Sequence, residues 1–263
     1  SAKGCQADMR ILKHVLEEAQ TTIYRYSSKA AIDQAFKEAY QNCSNDVSYL
    51  TFVKQIARIQ NAIACGHSGW GHNAKYFTYR KENVKLFPFE VRSDHGKYLL
   101  FQNNSRNQNI PDNSQIISLN GKPIEEELLR LRPYMGRDGK AMDGSLRSQE
   151  KYFANAYSNF IAQPDTFQIT IATNDAGPVT YNVEALLKSE IDSSRKIKYP
   201  DWKKHGLPLK LDLYEELNTA IYTIEWFRKD YIESKGQDFE SFTDSVFAIL
   251  KKEQIGKLVI DLR

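Results

Sequence analysis

The hydrophobic period of this chain changes near residue 65, and that change restricts the fold more than any other feature. Before it, apolar residues recur at helical spacing. Ile11, Leu12, Val15 and Leu16 predict a first helix over residues 8–19. Ala31, Ile32, Ala35, Phe36 and Ala39 predict a second, with Ser27 or Ser28 placed to accept an amide hydrogen at its start. Tyr49, Phe52, Val53, Ile56, Ile59 and Ile63 predict a third from Val47 to Ala64. The stretch "IACGHSGWGH", residues 63–72, ends it, and Gly66 is predicted at the left-handed position that closes the helix.

Beyond this point the pattern turns to strands. "VKLFPFEVR" and "KYLLFQN" predict two strands around a turn at "SDHG". "SQIISLNGKPIEEELLRLRPYM" predicts a strand, an Asn-Gly turn and a helix, with Pro123 at its start and Ile124, Leu128 and Leu131 on one side. "GRDGKAMDGS" is expected as a loop and "SQEKYFANAYSNF" as a helix. "DTFQITIAT" and "PVTYNVEAL" predict two strands around an Asn-Asp-Ala-Gly turn. Residues 189–210 are polar and hold two prolines, the composition of a linker. The strand "NTAIYTIEWF", a helix with Phe239, Phe242, Val246 and Ile249 on one stripe, and the strand "GKLVIDLR" follow, with a parallel crossover expected.

The predicted class is therefore α+β and multidomain. A helical unit covers residues 1–80, a mixed β unit 81–188, a linker 189–210 and the start of an α/β layer 211–263. A strand as rich in Leu, Val and Ile as the last one is normally central to its sheet. The chain is expected to be a piece of a longer protein, or a fragment, continuing past Arg263.

With 263 residues the chain can bury roughly three quarters of its unfolded surface and needs no staples to fold. Its 36 basic and 33 acidic residues are interspersed, giving +3 and no basic stripe, so nucleic-acid binding lacks electrostatic support. No apolar run approaches the roughly 18 residues of a membrane span. "SAKGCQADMR" lacks the apolar core of a signal peptide, so the protein is cytosolic or a leader has been removed. Cys5, Cys43 and Cys65 allow one bridge plus a free thiol, or three thiols.

His67 is the candidate for chemistry: as a general base whose pKa neighbours can tune across neutrality, or as the surface histidine of a helix-ending loop. His67 and His72 are too sparse a set for zinc, since no CxxC or HExxH element accompanies them. Ser68 is adjacent to His67 in sequence, which disfavours it as that histidine's nucleophile and suits a structural or substrate-orienting hydroxyl. Asp261 and Arg263 end a strand, the edge of an α/β sheet where sites gather.

In order, these pieces resemble the C-terminal processing (tail-specific) serine peptidases of the secreted bacterial type, related to the tricorn core. The resemblance rests on "CGHSG" closing a helical unit, the PDZ-like "SQIISLNG" and the terminal "KLVIDLR". It implies a serine endopeptidase that forms an acyl-enzyme, with no cofactor, a polypeptide substrate, and a location in the bacterial envelope after loss of a leader. His67 would be the general base in the tricorn-like branch, with Gly66 and Ser68 supporting it and Asp261 and Arg263 near the active site. A Ser–Lys dyad replaces the histidine in other members. The family's nucleophilic serine follows the last strand, so the 263 residues alone are expected to be inactive. Asn113-Ser114 stands where the family has Gly-Asp, which leaves β-augmentation along a sheet edge as the binding mode of the PDZ-like unit. The alternative is a non-catalytic peptide-binding module.

Overall fold

The structure, a computed structural model, describes residues 1–141, 147, 149–173, 176–201 and 206–262. The expected Asn174-Asp175 turn positions, part of the glycine-rich loop and Arg263 lie outside the described residues. The chain divides into two compact units, Ser1–Pro200 and Asp201–Arg263.

The first unit opens with α1 (Ala2–Ala19), α2 (Lys29–Asn42) and α3 (Tyr49–Ile63). Each starts on a serine whose side chain accepts an amide hydrogen that the helix leaves unmatched: Ser1 from Gly4, Ser28 from Ala31 and Ser48 from Thr51. Ser28 is thus the cap of α2, while Ser27 donates to the carbonyl of Ala62 at 2.5 Å. Met9, Ile32, Phe36, Ile59 and Ile63 bury their stripes against one another. A disulfide joins Cys5 to Cys43, tying α1 to the end of α2, and Cys65 is a free thiol.

A fourth helix, α4 (Ala74–Asn83), follows the histidine loop. Then β1 (Lys85–Leu86), β2 (Phe89–Asp94), β3 (Lys97–Asn103), β4 (Ser114–Leu119), β5 (Lys122–Pro123), β6 (Thr166–Thr173), β7 (Ala176–Glu184) and β8 (Leu186–Leu187) build the β part. The main sheet runs in the order β2-β3-β4-β6-β7, all antiparallel, with β5 paired to β4; β1 pairs separately with β8. His95-Gly96 and Asn120-Gly121 turn its hairpins with positive φ at both central residues, the backbone twist that two-residue hairpins need. Helices α5 (Ile124–Leu131) and α6 (Phe153–Phe160) cover the sheet with Leu128, Leu131, Phe153, Tyr157 and Phe160.

Helix α3 has two apolar faces. Ile59 and Ile63 enter the helical core, whereas Val53 and Ala57 enter the core beneath the sheet. Helices and sheet therefore share a wall, and together they form one compact unit.

Two corrections concern the expected linker. Residues 188–198 form a helix, α7 (Lys188–Lys198), whose Ile191 is buried and whose Arg195 pairs with Glu90 on β2. Its polar composition misleads because most of its surface faces water. The linker's far end is a strand, β9 (Leu209–Tyr214). In the second unit β9 lies antiparallel to β10 (Thr219–Ile224), which pairs in parallel with β11 (Lys257–Asp261), as the crossover requires. Helices α8 (Lys229–Ser234) and α9 (Phe239–Lys252) make the connection, and Ile232 and Val246 pack on Leu209 and Tyr222. The α+β class holds for the whole chain.

Candidate active site

The loop that carries His67 is held at both ends. Helix α3 stops because Ala64, not Gly66, takes the left-handed conformation (φ 57°), while its amide still bonds to the carbonyl of Gln60. Asn73 caps α4 by accepting the amide hydrogen of Tyr76 at 2.8 Å. Between them Ser68 donates its amide to the carbonyl of Cys65 at 3.0 Å, closing a tight turn with His67 at its tip. His67 is exposed.

Gly66 therefore serves a different purpose from the one predicted. Its amide donates to the Asp138 carboxylate at 3.2 Å, and a Cβ built on it would lie 3.1 Å from both Cβ and Cγ of Asp138. The glycine allows close approach by a second loop, residues 135–139, that docks on the end of α3. There Asn61 Nδ2 donates to the carbonyl of Met135 at 2.7 Å, Arg137 Nε to that of Asn61 at 2.8 Å, and the Gly139 amide to that of Ala64 at 2.8 Å.

Ser68 is committed to structure. Its hydroxyl accepts from Gln20 Nε2 at 2.6 Å, and its carbonyl accepts from Gln60 Nε2. The Cys65 sulfur gathers the backbone amide of His67 and the hydroxyls of Ser68 and Thr22, and these donors, the His67 amide foremost, draw the thiol below its usual pKa.

His72 faces elsewhere. Its ring lies 5.2 Å from Trp70 and 4.7 Å from Tyr76, with Nε2 3.2 Å from Asn159 Oδ1 and Nδ1 3.4 Å from the Tyr49 hydroxyl. Burial lowers its pKa, helped by the nearby Arg80. Arg80 in turn donates to Asn159, to Asn155 at 2.9 Å and to Ser158 at 2.7 Å. This cluster fastens α4 to α6, and Trp70 meets Phe160 edge-on at 5.7 Å. Among the described residues no three His, Cys, Asp or Glu side chains converge as metal ligands.

Of the expected site residues, Gly66, His67 and Ser68 share this loop, and Asp261 ends β11 of the second unit, opposite Thr223 on β10. Sequence reasoning missed α4, whose helical stripe is absent because none of its residues is buried; the Asn73 cap was its one signal. It also missed Asp138, which no local pattern connects to Gly66 across 72 residues.

The fold of the chain is similar to that of solved structures of CPAF. Mature CPAF shares it at a TM-score of 0.63 and 14% sequence identity, over 99% of this chain and 55% of that one. Mature CPAF complexed with lactacystin matches at a TM-score of 0.63 and 12% identity, over 99% and 56%. This chain thus spans little more than half the length of those proteins, and at such identity the likeness is one of fold. No family model and no curated protein matches the sequence.

Proposed function

We propose that this chain is part of a serine endopeptidase that cleaves polypeptides through an acyl-enzyme, with His67 as general base. The observation that carries the reading is His67 itself: an exposed imidazole at the tip of a turn fixed by Gln20, Gln60 and Asp138, within a chain whose fold is similar to that of CPAF over 99% of its length. Such fixing is what a base needs to meet a nucleophile at hydrogen-bond distance. The nucleophilic serine is assigned to the part of the protein outside these residues, and the 263-residue chain alone is expected to be inactive. The antiparallel sheet, with β2 and β7 at its edges, would hold an extended substrate strand.

The Cys5–Cys43 disulfide supports an oxidising compartment, consistent with the bacterial cell envelope. The test is made on the longer protein: His67→Ala, assayed on an unfolded polypeptide, with fluorophosphonate labelling to report an activated serine. Turnover near that of the unmodified protein would transfer the base to another residue, such as the lysine of a Ser–Lys dyad. A protein that neither cleaves nor labels would be the non-catalytic peptide-binding module instead.

A further inference from the structure

A groove of about 280 Å³ runs between the segment after β3 and helix α7. Asn104, Ser105 and Arg106 line one side, and Glu190, Ser194 and Lys198, one face of α7, line the other. Arg106 bridges the two sides, 2.5 Å from Glu190.

Asn104 is only 1% exposed, yet neither its Oδ1 nor its Nδ2 has a hydrogen-bond partner. Native folds rarely leave such atoms unmatched, because each one stripped of water without a replacement partner destabilises the fold. The polar groups beside it are partnered, save one hydrogen of Lys198. The neighbouring Asn103 donates to the carbonyls of Asn107 and Ile110, both at 2.8 Å, and accepts from the Ser105 amide and hydroxyl at 2.9 and 2.6 Å. Lys198 Nζ donates to the carbonyls of Asn103 at 2.9 Å and Ser105 at 3.0 Å. An ammonium has three hydrogens, so one remains for a ligand. Burial holds this lysine below its usual pKa.

A carboxamide with donor and acceptor both open is matched in one step by a second primary carboxamide, whose N–H and C=O lie side by side. The cation next to it favours a negative charge beside that amide. Leu186 and Ile197 supply an apolar lining for the methylenes. We infer that this groove binds the side-chain carboxamide of an asparagine or glutamine in a polypeptide, with a neighbouring carboxylate placed toward Lys198.

The experiment is an amide-resolved NMR titration of the 263-residue chain with N-acetyl-L-glutamine, and with N-acetyl-L-glutamate as the analogue that lacks the carboxamide. Saturable shifts at Asn104, Ser105, Ser194 and Lys198 are expected, with affinity at least about tenfold weaker for the glutamate analogue and for Asn104→Leu. Ser194→Trp fills the groove from the helix side without touching Asn104 and is expected to abolish binding. Shifts that do not saturate, or equal affinity for the two analogues, overturn the inference. So does an Asn104→Leu protein that folds and binds as before. If Asn104→Leu does not fold, unchanged binding by Ser194→Trp overturns it alone.

Discussion

The Gly66 amide and the Asp138 carboxylate meet at 3.2 Å, joining the end of α3 to a loop 72 residues further along the chain. The contact is tight for a methyl group: a Cβ on Gly66 would sit 3.1 Å from two Asp138 carbons, so the Asp138 side chain has to give by a few tenths of an ångström. Gly66 has no positive φ, so Gly66→Ala is strained by this contact and not by its backbone. We expect a loss on the order of 1 kcal/mol in urea unfolding, the usual scale of mild overpacking. Asp138→Gly should relieve part of it, so the double mutant should be less destabilised than the two single changes sum to.

His67 and Ser68 should separate function from stability. In the longer protein, the proposed role of His67 as general base predicts that His67→Ala lowers kcat by about 10³ or more. The unfolding midpoint should stay unchanged, because His67 is exposed. Ser68→Ala should do the reverse: it strands Gln20 Nε2, which now donates to Ser68 at 2.6 Å, and should cost about 1 kcal/mol of stability.

The disulfide is a strong single staple. It closes a separation of 38 residues, for which loop-closure entropy gives about 4 kcal/mol. Cys5→Ala with Cys43→Ala should lower Tm markedly, and reductant should then have no further effect. A Tm equal to that of the oxidised protein would show that the bridge contributes nothing to stability.

His72 sets a pH dependence of known sign. Burial lowers its pKa in the fold from the ordinary 6.5, and Arg80 adds to the effect. Above that value the ring is neutral in both states. As pH falls through it, the unfolded chain takes a proton that the folded chain declines, so stability falls until the depressed folded value is crossed. Unfolding free energy should therefore decline as pH falls through the ordinary value of 6.5, and His72→Gln should flatten that slope. An unchanged slope would assign the decline to other groups.

Much of this fold is legible residue by residue. The stripes of α2 and α3 are legible because each must bury one face, and Asn120-Gly121 because few other pairs accept two positive φ values. What escaped detection depends on tertiary contact. Helix α7 reads as linker because its one buried residue, Ile191, gives no apolar stripe, and it is held down by polar ties instead, Arg195 to Glu90, Arg106 to Glu190 and Lys198 to the carbonyls of Asn103 and Ser105. The sequence points to Gly66 for the end of α3 because glycine best tolerates the left-handed region, yet Ala64 adopts it, with the Gly139 amide bonded to its carbonyl. His67 could be singled out from its glycines, whereas the side chains that fix its loop, Gln20, Gln60 and Asp138, lie on elements that sequence alone does not bring together.

The last strand also bears on how the protein behaves in a tube. Among the described residues β11 pairs with β10 along one edge, and the successive residues Val259 and Ile260 are 48% and 54% exposed. Alternate residues of a strand point to opposite faces, so apolar side chains are exposed on both faces of β11. Residues 201–263 expressed alone should scatter light increasingly with concentration. Val259→Lys, which sets a charge on that strand, should keep the solution clear.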